Sequence, residues 1–315
     1  MTGVQTCALP ISGYDILFFW VIRMVFSACE IMEEPPFEYV FLHGLVRDEQ
    51  GRKMSKSLGN GIDPLEVIDK VGADALRFML ITGITPGNDT RFIWDRLESS
   101  RNFANKLWNA SRFTIMNLQD DNGNLLPMAS AETSALRDED KWIISRVNEA
   151  VQDITNSLEK FELGLAGQKV YEIIWDEYCD WYIELVKARL WGDDEQDKAT
   201  ARFILQSVLK DLLKLLHPFM PFITEEIWGY LPADKATDNN DNLLIKAAWP
   251  EYDTSKVYAD SVAKIETAKE IIKAIRNART EVDAAPSRKL NLIIKTDTLK
   301  VRRSEERRVG KECRS

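Results

Sequence analysis

The stretch RDEQGRKMSKSLGNG, residues 47–61, lies between a short β-rich run and a well-marked helix start. The run before it, residues 39–42, combines aromatic and aliphatic side chains and is typical of a strand. After the loop, Asp63 is a good N-cap, Pro64 suits the first helical position, and Glu66 completes a capping box. This order predicts a strand, a mobile loop and a capped helix, as in an α/β protein.

The chemistry of this loop suits a polyphosphate ligand. Four cationic side chains and two hydroxyls fall within eleven residues, and glycines frame them. Lysine ammonium groups are compact charges that match the oxygens of a departing pyrophosphate, and serines add short hydrogen bonds. From the residues alone, a solvated, lysine-rich surface loop is the other interpretation.

Length and composition favour a globular protein of about two domains. The 315 residues are 45% hydrophobic and 29% charged, which excludes fibrous, disulfide-stapled and disordered classes. The longest apolar run, Ile16–Phe26, is interrupted by Arg23 and is shorter than the roughly 20 residues of a membrane span. The four cysteines are far apart, so we predict no disulfide framework, no protein-bound metal and a cytoplasmic location. The net charge of -9 argues against a uniformly basic nucleic-acid binder.

The second part of the chain predicts a helix bundle. Amphipathic patterns run from about Leu97 to Arg279, and two of the clearest cover residues 167–190 and 201–216. Polar or proline-containing breaks are predicted at residues 120–127, 192–197, 217–221 and 234–242. No internal repeat is evident in the sequence, which argues against a solenoid.

The two ends differ from the middle in composition. Residues 1–12 carry no charge and no helical or strand period, whereas residues 302–315 are dense in charges. Both resemble translated sequencing-adapter read-through, so we expect foreign segments that flank an internal fragment. Flexible natural termini are the alternative. The predicted domain boundaries are 13–96 for the α/β part and 97–301 for the helical part.

Several segments, in chain order, resemble the valine, isoleucine and leucine branch of the class I aminoacyl-tRNA synthetases. Residues 53–57 reproduce the KMSKS signature of that class. The other matching segments are GYDILFFWVIRM (13–24), HGLVRD (43–48), DP (63–64), GADALR (72–77), RNFANKLWNASRF (101–113), HPFMPFITEEIW (217–228) and AIRNAR (274–279). The first of these resembles the valine-specific members in particular. The resemblance implies the C-terminal part of a Rossmann-like catalytic domain with its KMSKS loop, followed by an anticodon-binding helix bundle.

The resemblance also implies roles for the loop residues Lys53, Met54, Ser55, Lys56 and Ser57. In such enzymes the second lysine contacts the phosphates of ATP, the first assists it, and the serines shape the loop. The residues that match the adenosine-binding segments are Gly13, Asp15, His43 and Gly44. An aspartate suits the ribose because a carboxylate accepts hydrogen bonds from paired hydroxyls.

Trp20 matches a tryptophan that walls the valine side-chain pocket. A rigid, apolar indole excludes larger side chains by shape, although such a pocket rejects threonine poorly. From the residues alone, Trp20 is also readable as a core aromatic residue, and His43 as a satisfied strand-end histidine.

The start of the bundle mixes cations with aromatic side chains. Arg101, Lys106 and Arg112 are the candidate tRNA-binding residues, because such a mixture meets phosphates and stacks unpaired bases. The spacing also fits a plain buried face made of Phe103, Leu107, Ala110 and Thr114. We expect the aromatic residues here to belong mainly to the core, together with Trp175, Tyr178, Trp181 and Tyr182.

For the parent protein, the resemblance implies a ligase that joins valine to tRNA-Val through a valyl-adenylate. ATP, with Mg2+, would be consumed, and we expect a cytoplasmic monomer that contacts no membrane. The class's His-Ile-Gly-His motif is absent, since His43 and His217 are the two histidines and neither lies in such a context. We therefore expect the chain alone to be inactive. Two alternatives stay open: a fragment of an isoleucine-specific member, and a non-catalytic tRNA-binding module.

Overall fold

The computed structural model describes residues 10–120, 122–129, 136–232 and 242–283. The chain divides into two units, residues 1–265 and 266–315. Its first part contains two short parallel strand pairs: β1 (Ile11–Gly13) with β2 (Phe41–His43), and β3 (Val46–Arg47) with β4 (Thr90–Arg91). Three helices accompany them: α1 (Val21–Met32), α2 (Pro64–Val71) and α3 (Ala73–Ile81).

The second part of the chain is helical. Its helices are α4 (Trp94–Leu118), α5 (Asp138–Glu159), α6 (Leu163–Glu172), α7 (Ile183–Leu190), α8 (Glu195–Leu216), α9 (Pro221–Gly229) and α10 (Ala259–Glu281). A π-helical segment, Ile173–Tyr182, joins α6 to α7 without a break. This order of elements confirms the predicted α/β part followed by an all-α part. Among the described residues, no helix is both long and apolar enough to cross a bilayer.

Local signals placed several helix ends correctly. Asp63 caps α2, because its Oδ1 accepts a hydrogen bond from the Leu65 main-chain N at 2.8 Å. Glu66 lies in the first turn but does not complete the predicted capping box. The proline-containing break also holds, since α8 ends at Leu216 and α9 begins with Pro221 at its first position.

Other boundaries differ from the sequence pattern. Ile11 and Ser12 form a strand, although their sequence has no strand period, because their main chain pairs with residues 41–42. The predicted break at 192–197 is shorter, since Asp194 caps α8 through the main-chain N–H groups of residues 196 and 197. The predicted helix 167–190 begins earlier, at Leu163. Of the predicted loop 234–242, residues 234–241 lie outside the described residues.

The bundle core contains the buried face predicted for α4. Phe103, Leu107 and Thr114 are fully buried, and Ala110 is nearly so. Tyr178 and Tyr182 are also fully buried, as expected. Trp175 and Trp181 are partly buried and pack against the same core. A second, smaller cluster lies under the loop 47–61 and consists of Val67, Ala75, Leu76, Met79, Phe92 and Leu97.

A buried ion pair joins three elements of the bundle. Arg189 Nη1 of α7 lies 2.7 Å from both carboxylate oxygens of Asp140 in α5, and its Nε donates to Asp197 Oδ1 of α8 at 2.9 Å. Tyr182 Oη also donates to Asp140, at 3.0 Å. Because both charges are buried and hydrogen-bonded, the removal of either partner would leave an uncompensated charge in the core.

Two contacts connect the α/β part to the bundle. Asp74 of α3 accepts from the main-chain N–H groups of Phe222 and Ile223 and so caps α9, whose own N-cap residue provides no side-chain acceptor. Gly164, at the start of α6, lies so close to the loop after α3 that a Cβ there would be 2.2 Å from the Ile84 carbonyl oxygen. These contacts hold the loop-bearing segment against the helices.

Candidate functional site

The candidate site lies where the parallel strands β1 and β2 end. Gly13 pairs with His43 at the last position of the register, which brings two of the predicted adenosine-binding residues side by side. A Cβ on Gly13 would be 2.8 Å from Asp15 Oδ1 and 3.6 Å from His43 Cε1, so a larger residue there would displace the Asp15 carboxylate. His43 is exposed, and its Nδ1–H donates to the Gly44 carbonyl oxygen at 2.8 Å.

Gly44 allows a second close approach beside this point. A Cβ on Gly44 would be 1.8 Å from the Asn88 carbonyl oxygen, so the strand end and the segment before β4 touch through their main chains. The structure therefore brings Gly13, Asp15, His43 and Gly44 together, and their part in adenosine binding stays a prediction.

The basic loop reaches this strand end. Lys53 Nζ lies 3.3 Å from Asp15 Oδ2, and both side chains are partly exposed. An ion pair between exposed groups contributes little to stability. Asp15 is therefore available to exchange a lysine partner for the hydroxyls of a ligand at little cost.

The five signature residues of the loop have different surroundings. Met54 is half-buried and packs against the small cluster under the loop, so it anchors the loop to α2 and α3. The hydroxyls of Ser55 and Ser57 lie 3.1 Å apart, and Ser55 Oγ accepts from the Leu58 N–H at 3.3 Å. The Lys56 side chain is exposed, and its ammonium group has no polar partner among the described residues. Its ammonium group is free to meet a ligand.

Three acidic or amide side chains that sequence reasoning missed support the site. Asp89 accepts from the Leu45 N–H at 2.7 Å and from the Tyr14 hydroxyl at 3.2 Å, and it pairs with Arg47. The hydrogen bond from Leu45 is the main reason that the pKa of Asp89 is lowered. Asp48 and Asn60 lie at the two ends of the basic loop. An Asp or Asn in a polar, glycine-punctuated segment is the usual composition of a turn, so the sequence carried no signal for these roles.

Trp20 lies on an open apolar surface next to the strand end. It is 60% exposed, which excludes the alternative of a core aromatic residue in this structure. A shallow pocket there is lined by Ile16, Phe19, Trp20, Arg23, Met24 and Ser27. An apolar side chain of modest size suits such a lining.

The candidate tRNA-binding residues separate into two groups on α4. Arg101, Trp108 and Arg112 are exposed and lie on one face, since positions seven and eleven residues apart recur after two and three turns. Lys106 lies on another face, where it pairs with Asp180 and its Nζ is 3.5 Å from the centroid of the Trp175 ring. The two arginines have no polar partner among the described residues, whereas Lys106 is engaged within the bundle.

Comparisons with known proteins agree with this arrangement. Residues 4–92 match the family described as tRNA synthetases class I (I, L, M and V), and residues 140–294 match the anticodon-binding domain of tRNA ligase. The chain is 48% identical over 287 residues to the valine–tRNA ligase of Oceanobacillus iheyensis, with 91% of the chain covered. It is 52% identical over 283 residues to the valine–tRNA ligase of Clostridium tetani, with 90% covered. This chain belongs to the class I aminoacyl-tRNA synthetases.

Solved synthetases share the fold at lower sequence identity. The LeuRS of Agrobacterium radiobacter K84, solved in a ternary complex with tRNA and LeuAMS, superposes with a TM-score of 0.64 at 22% identity, covering 81% of this chain and 30% of that one. The methionyl-tRNA synthetase of Mycobacterium tuberculosis, solved with methionyl-adenylate, gives a TM-score of 0.57 at 21% identity, covering 70% and 43%. These likenesses confirm the fold of a synthetase catalytic segment followed by an anticodon-binding domain.

The chain spans only part of its relatives. It covers 31% of the length of the Oceanobacillus and Clostridium ligases. Class I synthetases use ATP and Mg2+ in general. Within the ranges that the structure describes, no group of three or more His, Cys, Asp or Glu side chains is arranged to hold a metal ion.

Proposed function

We propose that the protein containing this chain is a valine–tRNA ligase that forms a valyl-adenylate from valine and ATP and transfers the valine to tRNA-Val. The observation that carries the proposal is the convergence of the loop 53–57 with Gly13, Asp15 and His43 at one strand end, in a chain about half identical to valine–tRNA ligases. The roles of the other residues are inferred from where their side chains lie.

The loop would act on the phosphates of ATP. Lys56 is exposed and unpaired among the described residues, so its charge can approach the β- and γ-phosphates as pyrophosphate departs. Lys53 assists from the strand end, where it now pairs with Asp15. Mg2+ would arrive with ATP, because this ion keeps phosphate and water ligands in most nucleotide sites.

The strand end would hold the adenosine. Asp15 accepts hydrogen bonds from the ribose hydroxyls, and its loss of Lys53 as a partner frees that lysine for the phosphates. Gly13 keeps the space beside Asp15 and His43 open for the nucleoside. Valine would lie against the apolar surface that includes Trp20.

The exposed face of α4 would contact tRNA. Arg101 and Arg112 provide two cations, three turns apart, that have no polar partner within the described ranges. Trp108 between them is 39% exposed, so the part of its ring not in edge contact with Tyr230 could stack on a base. We assign no direct contact to Lys106, because its ammonium group is paired with Asp180 and lies over Trp175. We further propose that the protein works as a monomer in the cytoplasm.

The test is a chimera in which residues 13–283 replace the matching segment of the Clostridium tetani valine–tRNA ligase. We expect valine-dependent exchange between ATP and pyrophosphate, at a rate within about tenfold of the parent enzyme, since the fold is shared at 52% identity. Isoleucine should support at least about 100-fold less exchange than valine, because a pocket shaped for valine excludes the extra methylene. A folded chimera that prefers isoleucine, or that activates no amino acid, contradicts the proposal.

A further inference from the structure

We propose that Asn60 is a positioning residue that ties the two ends of the phosphate-binding loop to the buried carboxylate of Asp48. The inference deepens the proposed function and rests on it, because it concerns how the loop presents Lys56 to a phosphate. It starts from three hydrogen bonds made by one amide side chain.

The side chain of Asn60 uses both of its polar atoms. Its Oδ1 accepts from the Ser55 N–H at 2.9 Å. Its Nδ2 donates to Asp48 Oδ2 at 2.9 Å and to the Lys53 carbonyl oxygen at 3.3 Å. Asn60 therefore connects the residues on either side of Met54, Lys53 and Ser55, to Asp48 at the start of the loop 47–61.

Asp48 provides the fixed point of this connection. It is 6% exposed, and it accepts from Arg52 N and from Arg52 Nε, each at 2.7 Å. The main chains of residues 48 and 52 also bond to each other, with Asp48 N–H donating to the Arg52 carbonyl oxygen at 3.1 Å. The hydrogen bond from Asn60 is the main reason that the pKa of Asp48 is lowered to about 2. Asp48 is therefore a carboxylate at every pH in which an enzyme of this class works.

The remaining part of the loop, residues 55–59, is held mainly by bonds within itself. Ser55 Oγ accepts from the Leu58 N–H, and the Gly59 N–H donates to the Lys56 carbonyl oxygen at 3.3 Å. Gly59 has a φ of 61°, which allows the chain to turn back toward Asn60. Lys56 is part of this small turn. The orientation of the turn relative to Lys53 and Asp15 thus depends on the hydrogen bonds made by the Asn60 side chain.

The bridging role predicts a specific difference between the half-buried Asn60 and an exposed asparagine that makes no such bonds. Asn60→Ala removes all three bonds and leaves the Asp48 carboxylate without one of its donors. Asn60→Asp keeps the acceptor for Ser55 but replaces the donor with a second carboxylate next to Asp48. Because two carboxylates then lie side by side, with Arg52 bonded to Asp48, the pair should take up a proton as the pH is lowered, and the shared proton restores the lost bond. Asn105, exposed on α4 with no polar partner among the described residues, provides the matched controls.

The experiment titrates the complete 315-residue chain with inorganic pyrophosphate by calorimetry. The variants are Asn60→Ala, Asn60→Asp, Asn105→Ala, Asn105→Asp and Lys56→Ala, measured at pH 8 and pH 5 beside thermal unfolding. We expect Asn60→Ala and Asn60→Asp to bind pyrophosphate about tenfold more weakly at pH 8, the effect of about one lost charge-assisted hydrogen bond, while each variant still unfolds in one cooperative transition. At pH 5, Asn60→Asp should recover most of the lost affinity for pyrophosphate when it is compared with Asn105→Asp. Asn60→Ala should not recover it.

The outcomes separate this inference from the proposed function. If Lys56→Ala weakens binding but Asn60→Ala does not, the loop binds phosphate and the inference about Asn60 is wrong. If Asn60→Asp shows the same loss at both pH values, the bond to Asp48 is not the one that matters, and the inference is also overturned. If the unsubstituted chain does not bind pyrophosphate, or binds it equally well as Lys56→Ala, the phosphate role of the loop fails, and the inference fails with it. Amide hydrogen exchange at Ser55 reports its bond to Asn60 without any ligand, and we expect it to accelerate in Asn60→Ala.

Discussion

Lys53 and Lys56 are three residues apart in sequence, but their surroundings in the structure differ. Lys53 pairs with Asp15 at the strand end, whereas Lys56 extends from the outer turn of the loop. A charge that meets the leaving pyrophosphate contributes mainly in the transition state. We expect Lys56→Ala in the chimera to lower the rate of adenylate formation by roughly 10- to 1000-fold with little change in the KM for valine.

The matched control for that prediction is Lys160→Ala, which removes an exposed lysine at the end of α5. Pre-steady-state measurement of adenylate formation distinguishes the two variants. A Lys56→Ala chimera that forms adenylate at the unsubstituted rate would show that the loop has been assigned the wrong role.

His217, at the turn between α8 and α9, predicts a pH dependence of stability. Its Nδ1–H donates to Thr224 Oγ1 at 2.8 Å, because the Thr224 hydroxyl itself donates to the Met220 carbonyl oxygen. Burial lowers the pKa of His217, and the nearby carboxylates of Glu225 and Asp74 offset part of this effect. The unfolded chain therefore binds this proton more readily, so the free energy of unfolding should fall as the pH decreases below about 6.5.

The test compares urea unfolding between pH 7 and pH 5 for the unsubstituted chain, His217→Gln and the exposed-site control His43→Gln. We expect the free energy of unfolding of His217→Gln to depend less on pH than that of the unsubstituted chain. We expect the pH dependence of His43→Gln to match that of the unsubstituted chain. Equal slopes in all three proteins would mean that His217 does not contribute.

At the scale of elements, the start of α6 depends on glycine at position 164. A Cβ at Gly164 would be 2.2 Å from the Ile84 carbonyl oxygen. Because this oxygen belongs to the main chain, it cannot easily move to relieve the clash. Gly164→Ala should therefore destabilise the chain by about 1–3 kcal/mol, as overpacked sites do. Gly229, at the end of α9, has nothing within 4 Å of the corresponding Cβ, so Gly229→Ala should be neutral or stabilising by up to about 1 kcal/mol. Equal unfolding midpoints for the two variants in urea would refute this close contact.

The same scale shows which elements a sequence can predict. The start of α2 carries its own signals, a capping aspartate followed by a proline, and the structure confirms it. For α9 the prolines predicted only the break at 217–221, which the structure also contains. The strand β1 and the cap of α9 by Asp74 depend on partners far away in the sequence, so no local sequence pattern predicts them. The π-helical segment 173–182 is also hidden, because its apolar residues fit a continuous helix almost as well.

The candidate site follows the same division. The basic loop and its signature were recognisable from residues 47–61, since their charges are adjacent in the sequence. The meeting of Lys53 with Asp15, and of Asn60 with Asp48, requires the folded chain. The engagement of Lys106 by Asp180 was likewise invisible in a helix pattern that describes only α4.

At the scale of the whole molecule, a chain with a net charge of -9 would bind tRNA through a local cationic face. If the exposed face of α4 provides it, Arg101→Ala and Arg112→Ala in the chimera should each weaken tRNA-Val binding. Each should also reduce the slope of log affinity against log salt by about 0.7–0.9. Lys106→Ala should change the slope less and lower the unfolding midpoint more, because it breaks contacts within the bundle. Filter binding at several salt concentrations measures these slopes. Identical slopes for all variants would mean that tRNA does not bind to this face of α4.

We propose above that the protein containing these residues charges tRNA with valine. The most direct measurement is the valylation of tRNA-Val by the chimera carrying residues 13–283, with isoleucine and an unrelated tRNA as controls. We expect valyl-tRNA-Val formation that requires ATP and that is slowed by Lys56→Ala by at least about tenfold. A folded chimera that binds tRNA-Val yet transfers no valine to it, or that transfers isoleucine equally well, would show that the parent protein is not a valine–tRNA ligase.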